Sequence, residues 1–169
     1  MKRWMVLVSL VAVGLAASAP VVPAAHAAPR EVQVYFSKRP ESDADFGAVR
    51  PVSRWVEGPA VATAAIAALI DGPTAEEQAS GYYSELGSML RGESACGERD
   101  FRIVIQDGLA TLTFCRDLAS AGVGQDARVQ SQLRATLEQF DTVHQVRLLD
   151  ARGHCLFDQS GLDRCLAGG

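Results

Sequence analysis

The sequence predicts an α+β protein: one compact domain in which a mixed or antiparallel β-sheet carries two main α-helices. Three observations point there. Asp107-Gly108 sits between two alternating segments, Phe101–Ile105 and Ala110–Phe114. That is a strong hairpin signal, because both turn residues tolerate positive φ. Residues 61–70 are almost wholly apolar and alanine-rich, whereas 125–140 repeat apolar residues at intervals of three and four. Runs of that length with those patterns read as a buried helix and an amphipathic one.

Taken in order, residues 32–37 (VQVYFS) alternate and carry β-branched and aromatic side chains, so they form a first strand. Residues 38–46 are polar, contain Pro40 and read as a loop. A second strand covers 48–57, with Val49, Val52, Trp55 and Val56; Pro51 within it restricts it to a sheet edge or a strand start. Gly58-Pro59 opens the first main helix, since proline suits a first turn where its missing donor costs nothing. Apolar almost all round, this helix should be largely buried. Asp71-Gly72-Pro73 ends it through a glycine cap and a proline that cannot continue.

Thr74-Ala75-Glu76-Glu77 has the spacing of a capping box, in which Thr74 accepts from the backbone three residues on and Glu77 reaches back. Its helix is short because Gly81 interrupts it, and 82–97 reads as irregular. After the hairpin, Gly122-Val123-Gly124 leads to the second main helix. There Val129, Leu133, Thr136, Leu137 and Phe140 face inward, while Arg128, Gln130, Arg134, Glu138 and Gln139 face away. A strand at 143–149, a turn at 150–153, a short partner at 155–157 and a surface tail complete the chain.

The first 28 residues place the protein. Lys2 and Arg3 precede an apolar run from Met5 to Ala19, and Ala25-His26-Ala27 gives the small-x-small cleavage pattern. This is the layout of a secretory signal peptide, 1–27, leaving a domain at 28–161 and a tail at 162–169. Pro20 and Pro23 break the stretch, so it is a poor membrane anchor. It has no cysteine for lipid attachment, and the expected destination is secreted or extracytoplasmic, in the periplasm or cell envelope. No stable membrane span is expected after cleavage.

Cleavage leaves 142 residues, enough for one sizeable core. The formal charge moves from −4 to −6 as Lys2 and Arg3 depart, and Lys38 is the one lysine left. A basic stripe is missing, which argues against nucleic acid. Cys96, Cys115, Cys155 and Cys165 make an even count in an exported chain, the usage of structural disulfides. Zinc sites favour cysteines two to four apart, and the closest pair here is ten apart. Of the three connectivities, Cys96–Cys115 and Cys155–Cys165 is favoured. If Ile105 opposes Ala110 around the turn, Cys115 falls beside Asp100, close to Cys96.

No constellation announces a reaction. His144 and His154 are scattered, and no Gly-x-Ser-x-Gly elbow occurs. Glu76-Glu77 is more simply a first-turn pair, and Asp158 and Asp163 lie in the tail. Gly122-x-Gly124 lacks the third glycine and the preceding buried strand of a phosphate loop. No catalytic residue, metal or cofactor is expected. Tyr82 and Tyr83, with Trp55 as a further aromatic, are the candidate binding surface.

In their order, these segments resemble the GerMN family, the sporulation and spore germination domain. The resemblance runs from Val32 to Gly161. It is carried by VQVYFS, VRPVSRWVEGP, AALIDGPTAEEQASGYYSEL, FRIVIQDGLATLTF and RVQSQLRATLEQFDTVHQVRLL. Leu69-Ile70-Asp71-Gly72-Pro73 and the Gln-x-x-x-Thr-Leu stretch at 132–137 are its most specific pieces. The family implies an exported α/β domain that acts as a non-catalytic interaction or assembly module linked to sporulation or germination. The expected partner is an envelope protein or a cell-wall polymer. The alternative is a small secreted wall-active hydrolase or hydrolase inhibitor.

Overall fold

Strand β1 (Arg30–Lys38) is the axis around which the computed structural model is built. Residues 28–167 are described; the signal peptide read at 1–27 and the last two glycines lie outside them. Val32, Val34 and Phe36 point from β1 into the core at 4% exposure or less, which is the period-two alternation of a half-buried strand. Strand β2 (Arg50–Val56) runs antiparallel to it, with Val34 opposite Val52 and Tyr35 opposite Pro51. Pro51 is tolerated because β2 is the outer strand of its sheet.

The intervening segment is not wholly loop: Glu41–Ala44 form one helical turn, α1. Ser42 fixes it, accepting from the Lys38 N–H at 2.7 Å and donating to the Ala48 carbonyl at 2.6 Å. Helix α2 (Val61–Asp71) buries Ala62, Ala65, Ile66 and Leu69. The helix is largely buried, as its composition predicts, and only Thr63, Ala67 and Asp71 are exposed. Alanine is too small to reveal by composition which side of a helix meets solvent. Gly72 ends α2 with φ +83°.

Helix α3 (Ala75–Ala79) starts with the complete capping box of Thr74 and Glu77. The stretch read as irregular holds three short elements: β3 (Tyr82–Tyr83), α4 (Leu86–Met89) and β4 (Leu90–Arg91). Each is too short to leave a periodic signal. Strand β3 extends the first sheet, with Lys38 opposite Tyr82 and Ser37 opposite Tyr83. Strand β4 pairs with β7 (Asp117–Leu118).

Strands β5 (Phe101–Gln106) and β6 (Leu109–Phe114) form the hairpin, with Ile105 opposite Ala110 and Asp107 and Gly108 both at positive φ. The Cys115 N–H donates to the Asp100 carbonyl at 2.7 Å. Disulfides join Cys96 to Cys115 and Cys155 to Cys165, with Cα separations of 5.6 and 5.8 Å. Helix α5 (Val123–Glu138) then crosses to β8 (Gln145–Leu149), which lies parallel to β6. The short partner expected at 155–157 reduces to one bridge between Leu149 and Cys155. A 3₁₀ turn at Arg164–Leu166 ends the described chain. Helices α2 and α5 pack on β1 and on each other, around a core that includes Phe36, Ile66, Leu69, Phe114, Leu133 and Leu137.

Helix α5 also does what a further strand would do for β1. The Tyr35 N–H donates to Thr136 Oγ1 at 3.0 Å, the Gln33 N–H donates to Gln139 Oε1 at 2.6 Å, and Gln139 Nε2 donates to the Gln33 carbonyl. Gln132 Nε2 donates to Ser37 Oγ at 2.8 Å. Residues 132, 136 and 139 lie on one helical face and meet 37, 35 and 33 on one side of the strand. Their spacings match because a helix rises about 1.5 Å and a strand about 3.3 Å per residue. Gln139, expected to face away, therefore seals an edge that would otherwise hold unpaired backbone groups.

Candidate functional site

The two tyrosines lie where the C-terminal end of β1 meets β3, at a corner crowded with cations. Lys38 Nζ stands 4.6 Å from the Tyr82 ring centre, and the Arg39 guanidinium 4.7 Å from that of Tyr83. Arg128 reaches in from α5, 5.2 Å from Phe46 and 6.0 Å from Tyr83. Such contacts stabilise by roughly 0.5–1 kcal/mol each at exposed positions. Tyr83 donates its hydroxyl to Asp43 at 3.2 Å. Burial holds the Tyr83 phenol above its ordinary pKa, and the Asp43 and Glu85 carboxylates add to the rise against the opposing pull of Arg128.

Arg128 is held by Glu85 through two bonds of 2.8 and 3.0 Å. That bidentate bond raises its pKa further. This corrects the expectation that Arg128 simply faces solvent: its guanidinium is spent on a partner and two rings. Gly124 lets Phe46 approach the start of α5, since a Cβ there would stand 3.1 Å from the Phe46 ring. Behind the corner, Gln132 is fully buried, and it accepts from Ser84 Oγ at 3.1 Å while donating to Ser37. Gln132 carried no functional weight in the sequence analysis; its position on the apolar face of α5, between Val129 and Leu133, is the signal that marks it.

Trp55 does not join this corner. It sits on β2 opposite Glu31, seven residues along β1 from Lys38, about 23 Å at the rise of a strand. It is 70% exposed. The surface is thus built from Tyr82, Tyr83 and Phe46, with Lys38, Arg39 and Arg128 over their faces. Charge there is nearly balanced, because Asp43 and Glu85 answer two of the cations.

His154, Asp163, Asp158 and Glu77 are engaged in holding the fold. His154 Nδ1 lies 2.7 Å from Asp163, which holds the imidazole pKa above and the carboxyl pKa below their ordinary values. Among the described residues no serine hydroxyl or cysteine sulfur is hydrogen-bonded to either histidine ring. Asp163 also accepts from the Cys155 N–H at 2.7 Å, and Asp158 accepts from Ser160 and the Arg164 N–H. Cys155, Asp158 and Asp163 present ligand-type atoms within 4.8 Å of one another. The sulfur is locked in a disulfide and the carboxylates already serve the backbone, so this donor set does not fit a metal. Glu77 closes the capping box and binds Arg54 through bonds of 2.6 and 2.7 Å; the Arg54 bond chiefly keeps its pKa low. No described helix is long and apolar enough to cross a membrane.

The family described as sporulation and spore germination, Germane, matches residues 33–154. The chain belongs to this family. Among solved structures, this GerMN-type chain is similar to the tandem GerMN domains of the sporulation protein GerM from Bacillus subtilis, with 20% identity and a TM-score of 0.50. The alignment covers 83% of this chain and 48% of that one, so the chain spans about half the length of its tandem relative. At that identity the likeness is one of fold. A candidate lipoprotein from Clostridium perfringens aligns over 76% of this chain and 80% of its own, with 15% identity and a TM-score of 0.40. No curated protein matches the sequence.

Proposed function

We propose that this GerMN-family chain is an exported, extracytoplasmic interaction module that works without catalysis, docking an envelope protein or cell-wall polymer through the Tyr82–Tyr83 corner. The observation that carries the reading is that corner: three part-exposed aromatic rings each lie against a cation, while Gln132 donates to the Tyr83 carbonyl and Ser37 pairs opposite Tyr83. Aromatic side chains lose little entropy on binding, and with arginine they dominate interface energetics. Two disulfides support an oxidising compartment, in line with the leader at 1–27. The link to sporulation or germination rests on family membership.

Crosslinking in the native envelope tests it. Tyr82→Ala with Tyr83→Ala should abolish partner capture, and His144→Ala or His154→Ala should leave it intact. Turnover of peptidoglycan or an ester by the purified protein, lost when one carboxylate or histidine is replaced, would defeat the proposal.

A further inference from the structure

The sheet edges of this chain are not treated alike. Strand β2 carries Pro51 on the outside of its sheet. The second edge of β1 is sealed by Thr136 and Gln139. The outer edge of β8 is closed by Arg134, which donates to the Val146 carbonyl at 3.2 Å, and by the Leu156 N–H on the Leu148 carbonyl at 2.9 Å. Among the described residues, strand β5 has no such cover. It is outermost in the order β5-β6-β8, and it contains no proline and no lysine, the residues that blunt natural edges.

The hairpin fixes which of its backbone groups face outward. Residues flanking a two-residue turn exchange both hydrogen bonds, and bonded pairs then alternate along the ladder. Gln106, Val104 and Arg102 accordingly bond to β6, a parity confirmed by the Cys115–Asp100 bond just beyond. The N–H and C=O groups of Ile103 and Ile105 point away from β6 and have no partner among the described residues. Beside them, Val104 is 61% and Ile105 39% exposed.

We propose that β5 is a self-association edge, on which two copies of this chain pair antiparallel about a twofold axis at Val104 and join their sheets into one. This goes beyond the Tyr82–Tyr83 reading and does not depend on it. In this register Ile103 of each copy exchanges both hydrogen bonds with Ile105 of the other, so all four orphaned groups per copy are satisfied. Val104 meets Val104 on the solvent face. Arg102 of each copy comes beside the Gln106–Asp107 corner of the other. Neither Arg102 nor Asp107 has an ionic partner within its own described chain, and the pairing supplies one to each. That complementarity selects a second copy over an arbitrary extended peptide. A six-residue edge buries less than the roughly 1,200 Å² of a stable interface, so the dimer is weak and needs concentrations approaching about 1 mM.

Sedimentation of the mature chain up to about 1 mM should show reversible dimerisation. Ile105→Pro removes an outward N–H that no acceptor among the described residues uses, and Val104→Lys sets like charges across the axis. Both should leave the chain folded by circular dichroism and monomeric. Val104→Cys should crosslink to itself on mild oxidation, because directly opposed non-bonded pairs bring Cα atoms to about 4.5 Å. Thr111→Cys, one strand further in, should not. A wild-type chain monomeric throughout, a dimer that survives Ile105→Pro, or equal crosslinking of both cysteine variants overturns the pairing. So does binding of a foreign extended peptide at β5 by a chain that never self-associates.

Discussion

Replacing Thr136 by Val isolates the edge-sealing role of α5. Thr136 is fully buried, and its hydroxyl accepts the Tyr35 N–H at 3.0 Å. Valine keeps the shape and the β-branch, so cavity and helix-propensity effects are small. What changes is one acceptor: the Tyr35 N–H, on the side of β1 away from β2, is left without a partner. An unsatisfied buried donor costs roughly 1–3 kcal/mol, and a methyl in an apolar site returns part of that. The expected loss is therefore about 1–2 kcal/mol, or about 3–8 °C in Tm for a domain of this size. Urea unfolding should show a lower midpoint at unchanged m-value, with faster exchange at the Tyr35 amide. Ser131→Ala, which removes only a bond to the Ala127 carbonyl of the same helix, serves as the control. A Thr136→Val protein within about 0.3 kcal/mol of wild type, with Tyr35 exchange unaltered, would refute the reasoning.

Removing the Cys155–Cys165 link by a double alanine change should cost roughly 3 kcal/mol, the loop-closure value for a ten-residue separation, read by urea unfolding. Glu77→Gln should cost roughly 1–2 kcal/mol at neutral pH through loss of the Arg54 pair. Because the Glu77 pKa is lowered in the fold, its contribution is present above the ordinary carboxylate value and vanishes as pH falls through the lowered one. The two proteins should therefore converge in stability in acid. His154 has a raised pKa, so its grip on Asp163 is complete below the ordinary histidine value and is lost as pH rises through the raised one. Asp163→Asn should return the His154 pKa towards about 6.5 in an NMR titration.

Local chemistry was legible in the sequence. The capping box at Thr74 and Glu77, the Asp107-Gly108 turn, the glycine stop at Gly72 and the edge position of Pro51 each depend on a few adjacent residues, and each stands in the fold as read. Contacts between distant segments were not. Nothing near Gln145–Leu149 states that this strand lies parallel to β6, because that pairing is decided by where α5 lands. Gln132 was the start of a Gln-x-x-x-Thr-Leu stretch, Thr136 an inward residue and Gln139 an outward one; only the approach of β1 makes them a row. At the candidate surface, Tyr82 and Tyr83 stood out as an aromatic pair, but the cations over their rings come from Lys38, Arg39 and Arg128, up to 45 positions away.

The hairpin strands show why an exposed edge escapes a reading of pattern alone. Both β5 and β6 alternate, and both offer apolar residues to the same core. Along β6, Ala110, Leu112 and Phe114 are all fully buried, because β5 flanks it on one side and β8 on the other. Along β5 the same face opens step by step: Phe101 is buried under α2, Ile103 is half-covered and Ile105 reaches solvent. Had the chain returned from α5 to the other side of the hairpin, β5 would be central and β6 the edge, with the backbone groups of Ala110 and Leu112 facing outward. The crossover instead leaves isoleucine and valine on the open side. An edge of that composition is a template open to another strand, and a twofold pairing at Val104 fills it with residues the chain already carries.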